Sequence, residues 1–74
     1  MTLDRVKDLQ TVKIRSIDGG TDLRRRLNQL GIFEGGKVRV KRPSRFGGPL
    51  IIEFDQCEVA IGRGMAAQIT IEPA

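Results

Sequence analysis

The chain has 74 residues, 39% of them hydrophobic, and its thirteen Lys and Arg against nine Asp and Glu give a net charge of +4. A chain of this length is expected to fold as one domain, residues 1–74. One Cys and no His exclude a disulfide-stapled scaffold. The first ten residues lack an apolar signal region, and no apolar run is long enough to span a bilayer, so we expect a soluble, cytoplasmic protein.

Alternation of apolar and polar residues predicts five short β-strands. In the first strand, Val12 and Ile14 face one side, and Lys13 and Arg15 face the other. Ile17 breaks this alternation, so we expect a bulge or the end of the strand there. The five predicted strands cover residues 11–16, 37–41, 50–55, 57–61 and 68–72.

A short α-helix is predicted between the first two strands. Leu23, Leu27 and Leu30 recur at the spacing of one helical stripe. We expect Leu27 and Leu30 to anchor this helix in the core, and Thr21 or Asp22 to cap its N-terminus.

The connections are also readable from the sequence. Gly31 fits the left-handed residue that ends a helix, and Ile32 can then fold back onto the last turn. A tight turn is expected at residues 55–56 and one helical turn at 64–67. Five strands in so short a chain favour a small barrel, mainly β, with one short α-helix inserted after the first strand.

Residues that carry chemistry are scarce. With no His or Tyr, the sequence offers no pairing of a nucleophile with a base, so we expect no enzymatic activity and no cofactor. A zinc site needs about four Cys and His ligands, and this chain has one such residue, so no metal site is expected. Cys57 alternates with Val59 and Ile61 and is expected to be a small buried residue.

The basic residues are concentrated in one segment. Residues 23–45 hold eight basic residues and one acidic residue. Such a segment suits the phosphates of a nucleic acid or an acidic protein surface. Small barrels that bind single strands usually add stacking aromatics, and this chain has three Phe and no Tyr or Trp.

The order of several short motifs resembles that of the FeoA family, small cytoplasmic accessory proteins of bacterial ferrous-iron uptake. The resemblance spans nearly the whole chain. The motifs are Thr2-Leu3, Ile17-Asp18-Gly19-Gly20, the run RLNQLGIFEGGKV at residues 26–38, Gly47-Gly48-Pro49, and Ala66-x-x-Ile69.

The resemblance implies an SH3-like barrel with an inserted helix and a partner rather than a reaction. That partner is FeoB, a membrane permease with a cytoplasmic GTPase domain. The family is also associated with transition-metal binding, for which this sequence offers no ligand set. The chain departs from many relatives at Gln56-Cys57, at Met65 and at Ser44-Arg45.

Candidate contact residues come from the basic segment and from the glycine-rich loop that follows it. Phe46 lies outside the alternation that places Phe54 in the core, so it is a candidate exposed anchor, the alternative being that it folds back to plug the end of the barrel. The expected partner-binding residues are Arg24, Arg25, Lys41, Arg42, Arg45 and Phe46. A nucleic-acid-binding barrel that uses the 23–45 segment is the alternative function.

Overall fold

A computed structural model describes residues 1–43 and 48–74 of the chain. It contains the five predicted strands, the predicted helix and the predicted helical turn, together with a 3-10 turn near the N-terminus that the pattern did not reveal. In chain order the elements are the 3-10 turn Leu3–Arg5, β1 Thr11–Ile17, α1 Thr21–Gln29, β2 Lys37–Arg42, β3 Leu50–Phe54, β4 Cys57–Ile61, α2 Arg63–Ala66 and β5 Ile69–Pro73.

All strand pairs are antiparallel, and the strands lie in the order β4-β3-β2-β1-β5. Helix α2 connects β4 and β5, the two ends of the sheet. The register shifts between Ile14 and Ser16 against β5, and between Val40 and Arg42 against β3. The irregularity in β1 therefore precedes Ile17, which is the last residue of that strand, as the broken alternation predicted.

Inward-facing side chains from all five strands meet in one hydrophobic core, so the sheet curls around it. Leu27 of α1, Ile32 after α1 and the N-terminal residues Leu3 and Val6 complete this core. The buried strand residues are Val12, Ile14, Ile17, Val38, Val40, Leu50, Ile52, Ile61, Ile69 and Ile71. Phe54, expected in the core, is half-buried and packs against its edge.

The expectation that Leu30 anchors the helix is wrong. Leu27 is fully buried, whereas Leu30 is 42% exposed and lies just beyond α1. Gly31, with φ 97°, turns the chain at that point, and the Ile32 amide donates to the Leu27 carbonyl at 2.9 Å. Because of this turn, Ile32 packs into the core, where a longer helix would have placed Leu30.

The N-cap of α1 is also corrected. Gly20, with φ 92°, is the residue before the helix, and its carbonyl accepts from the Arg24 amide at 3.1 Å. Thr21 and Asp22, the expected caps, are already inside the first turn. Asp22 there places a negative charge at the positive end of the helix dipole.

The hairpin between β3 and β4 explains why Cys57 is exposed rather than buried as expected. Asp55 and Gln56 both have positive φ, 50° and 64°, as a two-residue primed turn requires. Cys57 follows this turn opposite Phe54, on a strand at the end of the sheet. Its side chain therefore lies beyond the core, where solvent reaches it.

Helix α1 lies across one end of the sheet. Gly19, just before α1, is so close to Leu23 that a Cβ there would lie 2.6 Å from its Cδ2. After α1, a Cβ on Gly31 would lie 2.5 Å from the ring of Phe54, the last residue of β3. We call this end, where β1 and β3 finish and β2 begins, the helix end. The end where β2 finishes and β3 begins is called the loop end.

Candidate functional site

The expected contact residues do not form one cluster. Arg24 and Arg25 are exposed on α1, at the helix end. Lys41 and Arg42 are exposed in the last two positions of β2, at the loop end. Arg45 and Phe46 lie outside the described residues. A sequence segment that reads as one basic run is therefore divided between opposite ends of the sheet.

Arg24 has a local structural role. Its Nη2 donates to the carbonyl oxygen of Ile17 at 3.1 Å, while the Ile17 amide donates to Oε2 of Glu34 at 3.2 Å. Both backbone groups of Ile17 are thus bonded at the point where β1 extends past its pairing with β2. These two bonds connect α1 and the segment after it to the end of β1.

Beside α1, an open groove is lined by polar and basic side chains. Arg25 and Asn28 lie along it with Arg24, Thr21 and Gln29. Leu30 and Phe33 follow directly in the chain, and they are 42% and 53% exposed. The helix end therefore presents Arg side chains together with two exposed apolar residues. The amphipathic pattern did not reveal Leu30 and Phe33 as surface residues, because it assigned Leu30 to the core.

Lys41 is held by two carboxylates. Its Nζ lies 3.7 Å from Oε2 of Glu53 and 3.6 Å from Oε2 of Glu58. Glu53 and Glu58 are directly opposite each other on β3 and β4, an arrangement of like charges that is unfavourable without a cation. Lys41 offsets this repulsion, so its positive charge is already partly neutralised by two carboxylates of the same molecule.

The outer face of β1 and β2 carries a second group of cations. Lys13 and Lys37 are directly opposite each other, and Arg15 and Arg39 continue the exposed positions of the two strands. We call these four residues the basic sheet face. The sequence placed each of them on the polar side of a strand. Their juxtaposition depends on the pairing of β1 with β2.

Chemical groups for metal binding are sparse in the structure too. Across residues 1–43 and 48–74, no group of three or more His, Cys, Asp or Glu could hold a metal ion. The same part of the chain contains no helix that is long and apolar enough to cross a membrane. What the described surface offers is charge and exposed apolar area, which are means of contact with another molecule.

Comparison with known proteins gives the family. The family model described as the FeoA domain matches residues 1–73, and the chain therefore belongs to the FeoA family. The chain is 38% identical over 68 residues to a Methanocaldococcus jannaschii protein named "Putative Fe(2+) transport protein A", covering 92% of this chain and 80% of that relative. FeoA proteins are small accessory proteins of Fe²⁺ transport and are not a known enzyme family.

Solved structures agree with the SH3-like fold. The solution structure of the FeoA protein from Chlorobium tepidum is similar with a TM-score of 0.85 and 27% identity, covering 99% of this chain and 70% of that one. The apo form of the manganese-activated repressor ScaR has a TM-score of 0.89 at 23% identity, covering 100% of this chain and 35% of the repressor. The second likeness concerns the fold alone.

Proposed function

We propose that this chain is a non-enzymatic, cytoplasmic adaptor of ferrous-iron transport. It acts by direct contact with the cytoplasmic GTPase domain of a FeoB-type membrane permease and needs no cofactor of its own. Membership of the FeoA family supports the link to Fe²⁺ transport. The observation that carries the contact role is the exposure of Arg25, Leu30 and Phe33 together at the helix end.

The helix end has the composition of a contact surface. Aromatic and Arg side chains supply most of the binding energy at protein interfaces. Phe33 and Leu30 provide exposed apolar area, while Arg25 lines the groove along α1. Arg24 is a weaker candidate because it already binds the Ile17 carbonyl.

The loop end is the second possible contact surface. Arg42 is exposed there, and Arg45 and Phe46 follow it in the sequence. Lys41 contributes less at this end because Glu53 and Glu58 already surround its ammonium group.

Binding measured with variants of each end tests the proposal and separates the two surfaces. The wild-type chain and two double variants, Arg25→Glu/Phe33→Ala and Arg42→Glu/Phe46→Ala, are titrated into the purified GTPase domain of the FeoB-type permease from the same organism. We expect the helix-end variant to raise Kd at least about tenfold, because it removes an aromatic anchor and reverses a charge.

The Arg42→Glu/Phe46→Ala variant makes the same two types of change at other positions in the chain, so it controls for loss of charge and of one Phe. Thermal unfolding checks that both variants are folded. Equal weakening by the two variants would contradict the assignment to the helix end. If the wild-type chain does not bind the domain at all, the adaptor proposal is wrong.

The alternative function, nucleic-acid binding through residues 23–45, is favoured by the exposed Lys37 and Arg39 on β2. Titration with a fluorescent single-stranded oligonucleotide at physiological salt tests it. Under the adaptor proposal we expect the chain to bind the oligonucleotide no more tightly than it binds a generic polyanion. The reason is that the exposed positions of β1 and β2 have no aromatic residue on which bases could stack.

A further inference from the structure

The basic sheet face brings cations unusually close together. Lys13 on β1 is directly opposite Lys37 on β2, which puts their Cβ atoms roughly 5 Å apart. Arg39 continues this row toward the loop end, about 7 Å further along β2, and Arg15, at the register shift of β1, lies toward the helix end. The four side chains form a narrow, staggered row on a rigid two-stranded surface.

Within residues 1–43 and 48–74, the four residues of the basic sheet face form no ion pair. Lys41, by contrast, pairs with Glu53 and Glu58. Two carboxylates border the face, since Glu72 is in register with Lys13 and Glu53 with Arg39. Glu53 is already engaged by Lys41. Facing Lys13 with Lys37 costs stability, and Glu72, across from Lys13 on β5, counters this cost without forming an ion pair within the described residues.

An exposed aromatic residue lies in the turn that borders this face. Phe33 begins a turn in which the Gly36 amide donates to its carbonyl at 3.0 Å. The Gly36 carbonyl in turn accepts from the Ile14 amide at 2.8 Å, so the turn lies against β1 just before Arg15. Phe33 is 53% exposed there.

We propose that the basic sheet face, with Phe33 at its edge, binds the anionic surface of a lipid bilayer. A plane of anionic lipid headgroups complements a row of exposed cations, and an aromatic side chain suits the boundary between headgroups and acyl chains. Acidic residues flank the row on both sides, Glu53 and Glu58 on β3 and β4 and Glu72 on β5, so the positive charge is concentrated on β1 and β2.

The arrangement favours a bilayer over two other occupants. A protein hot spot places an apolar or aromatic anchor at the centre of the interface, inside a ring of polar contacts, whereas the exposed positions of β1 and β2 carry no apolar side chain. A single-stranded nucleic acid requires aromatic residues under its bases, and the exposed β1 and β2 positions have none. This inference does not depend on contact with the permease.

Binding to vesicles tests the proposal directly. The full chain is mixed with vesicles of phosphatidylcholine containing phosphatidylglycerol, and the bound fraction is measured by co-sedimentation at low and at physiological salt. Each basic residue near an anionic surface contributes roughly a fivefold factor to partitioning. We therefore expect Lys13→Gln/Lys37→Gln to weaken binding by about 25-fold, and Phe33→Ser to weaken it severalfold.

A control variant removes the same charge from elsewhere. Lys7→Gln/Arg63→Gln also lowers the net charge by two, but Lys7 precedes β1 and Arg63 begins α2, outside the paired strands β1 and β2. We expect it to weaken binding much less than the variant of the basic sheet face. Equal weakening by both variants would mean that net charge alone drives binding, and the assigned face would be wrong.

Lys37→Glu adds a readout that a purely structural role would not produce. The new carboxylate faces Lys13 across the strand pair, so the urea concentration at the midpoint of unfolding should rise slightly. Vesicle binding should fall by about 25-fold, because the charge of the face drops by two. Absence of wild-type binding even at low salt overturns the proposal, as does equal binding to neutral phosphatidylcholine vesicles. Preference for a single-stranded oligonucleotide over anionic vesicles at physiological salt overturns it as well.

Discussion

Truncation of Leu27 and of Leu30 should have very different consequences, although the two residues are three positions apart on one leucine stripe. Leu27 is fully buried, and Leu30 is 42% exposed beyond the end of α1. Leu27→Ala should cost about 2–5 kcal/mol, since it removes buried methylene groups and leaves a cavity. Leu30→Ala should cost less than about 1 kcal/mol, as is typical of surface substitutions.

Equilibrium urea unfolding measures both costs. A chain of 74 residues is expected to have a free energy of unfolding of roughly 4–11 kcal/mol. The m-value of so small a domain is about 1 kcal/mol/M in urea. Leu27→Ala should therefore lower the urea concentration at the midpoint by roughly 2–5 M, and Leu30→Ala by less than about 1 M. Equal midpoint shifts for the two variants would refute the assignment of Ile32, rather than Leu30, to the core.

Three further predictions concern local contacts and metal. Gly31→Ala should lower the free energy of unfolding by about 2–4 kcal/mol, because φ is 97° and the new Cβ would clash with the Phe54 ring. Gly35→Ala, with φ 88° and open space around the new Cβ, should lower it by only about 1–2 kcal/mol. Equal losses in urea unfolding would rule out the clash. Lys41→Met should change stability by less than about 1 kcal/mol at low salt, because both ion pairs are solvent-exposed, and a larger loss by thermal unfolding would disprove this. Anaerobic calorimetry should detect no tight site for Fe²⁺ or Zn²⁺ in the isolated chain, and a stoichiometric sub-micromolar site would contradict that expectation.

Period-two alternation predicted the strands well because each strand has one buried face. Val12, Ile14, Val38 and Val40 are inward-facing as the pattern indicated. The hairpin turn at residues 55–56 was equally readable, since two strands separated by two residues leave little choice of turn. The N-terminal 3-10 turn was missed because Leu3 and Val6, although three positions apart as on a helix, are too short a pattern to define an element.

Errors arose where the pattern met the end of an element. A helical stripe cannot indicate on which residue the helix stops, so Leu30 was placed in the core although Gly31 turns the chain after it. Cys57 keeps the alternation of β4, yet that strand lies at the end of the sheet and its first residues extend past the core. The burial of a side chain depends on which strands lie next to its own strand, and the alternation within one strand carries no information about them.

The candidate contact surface was predicted only in part. The basic run was visible in the sequence, but its division between the helix end and the loop end follows from the antiparallel path of β2 between β1 and β3. The closeness of Lys13 to Lys37 also depends on this pairing. Long-range register, rather than residue type, decides which charges share a surface.

Chemical-shift mapping is the most direct test of the adaptor role. The isotope-labelled chain is titrated with the GTPase domain of the FeoB-type permease, and its backbone amide signals are followed. We predict that the largest changes occur at the helix end, around Arg25, Leu30 and Phe33, and that they are lost in the Arg25→Glu/Phe33→Ala variant. An unchanged spectrum at a saturating concentration of the domain, or changes confined to Arg42 and the rest of the loop end, would contradict the account.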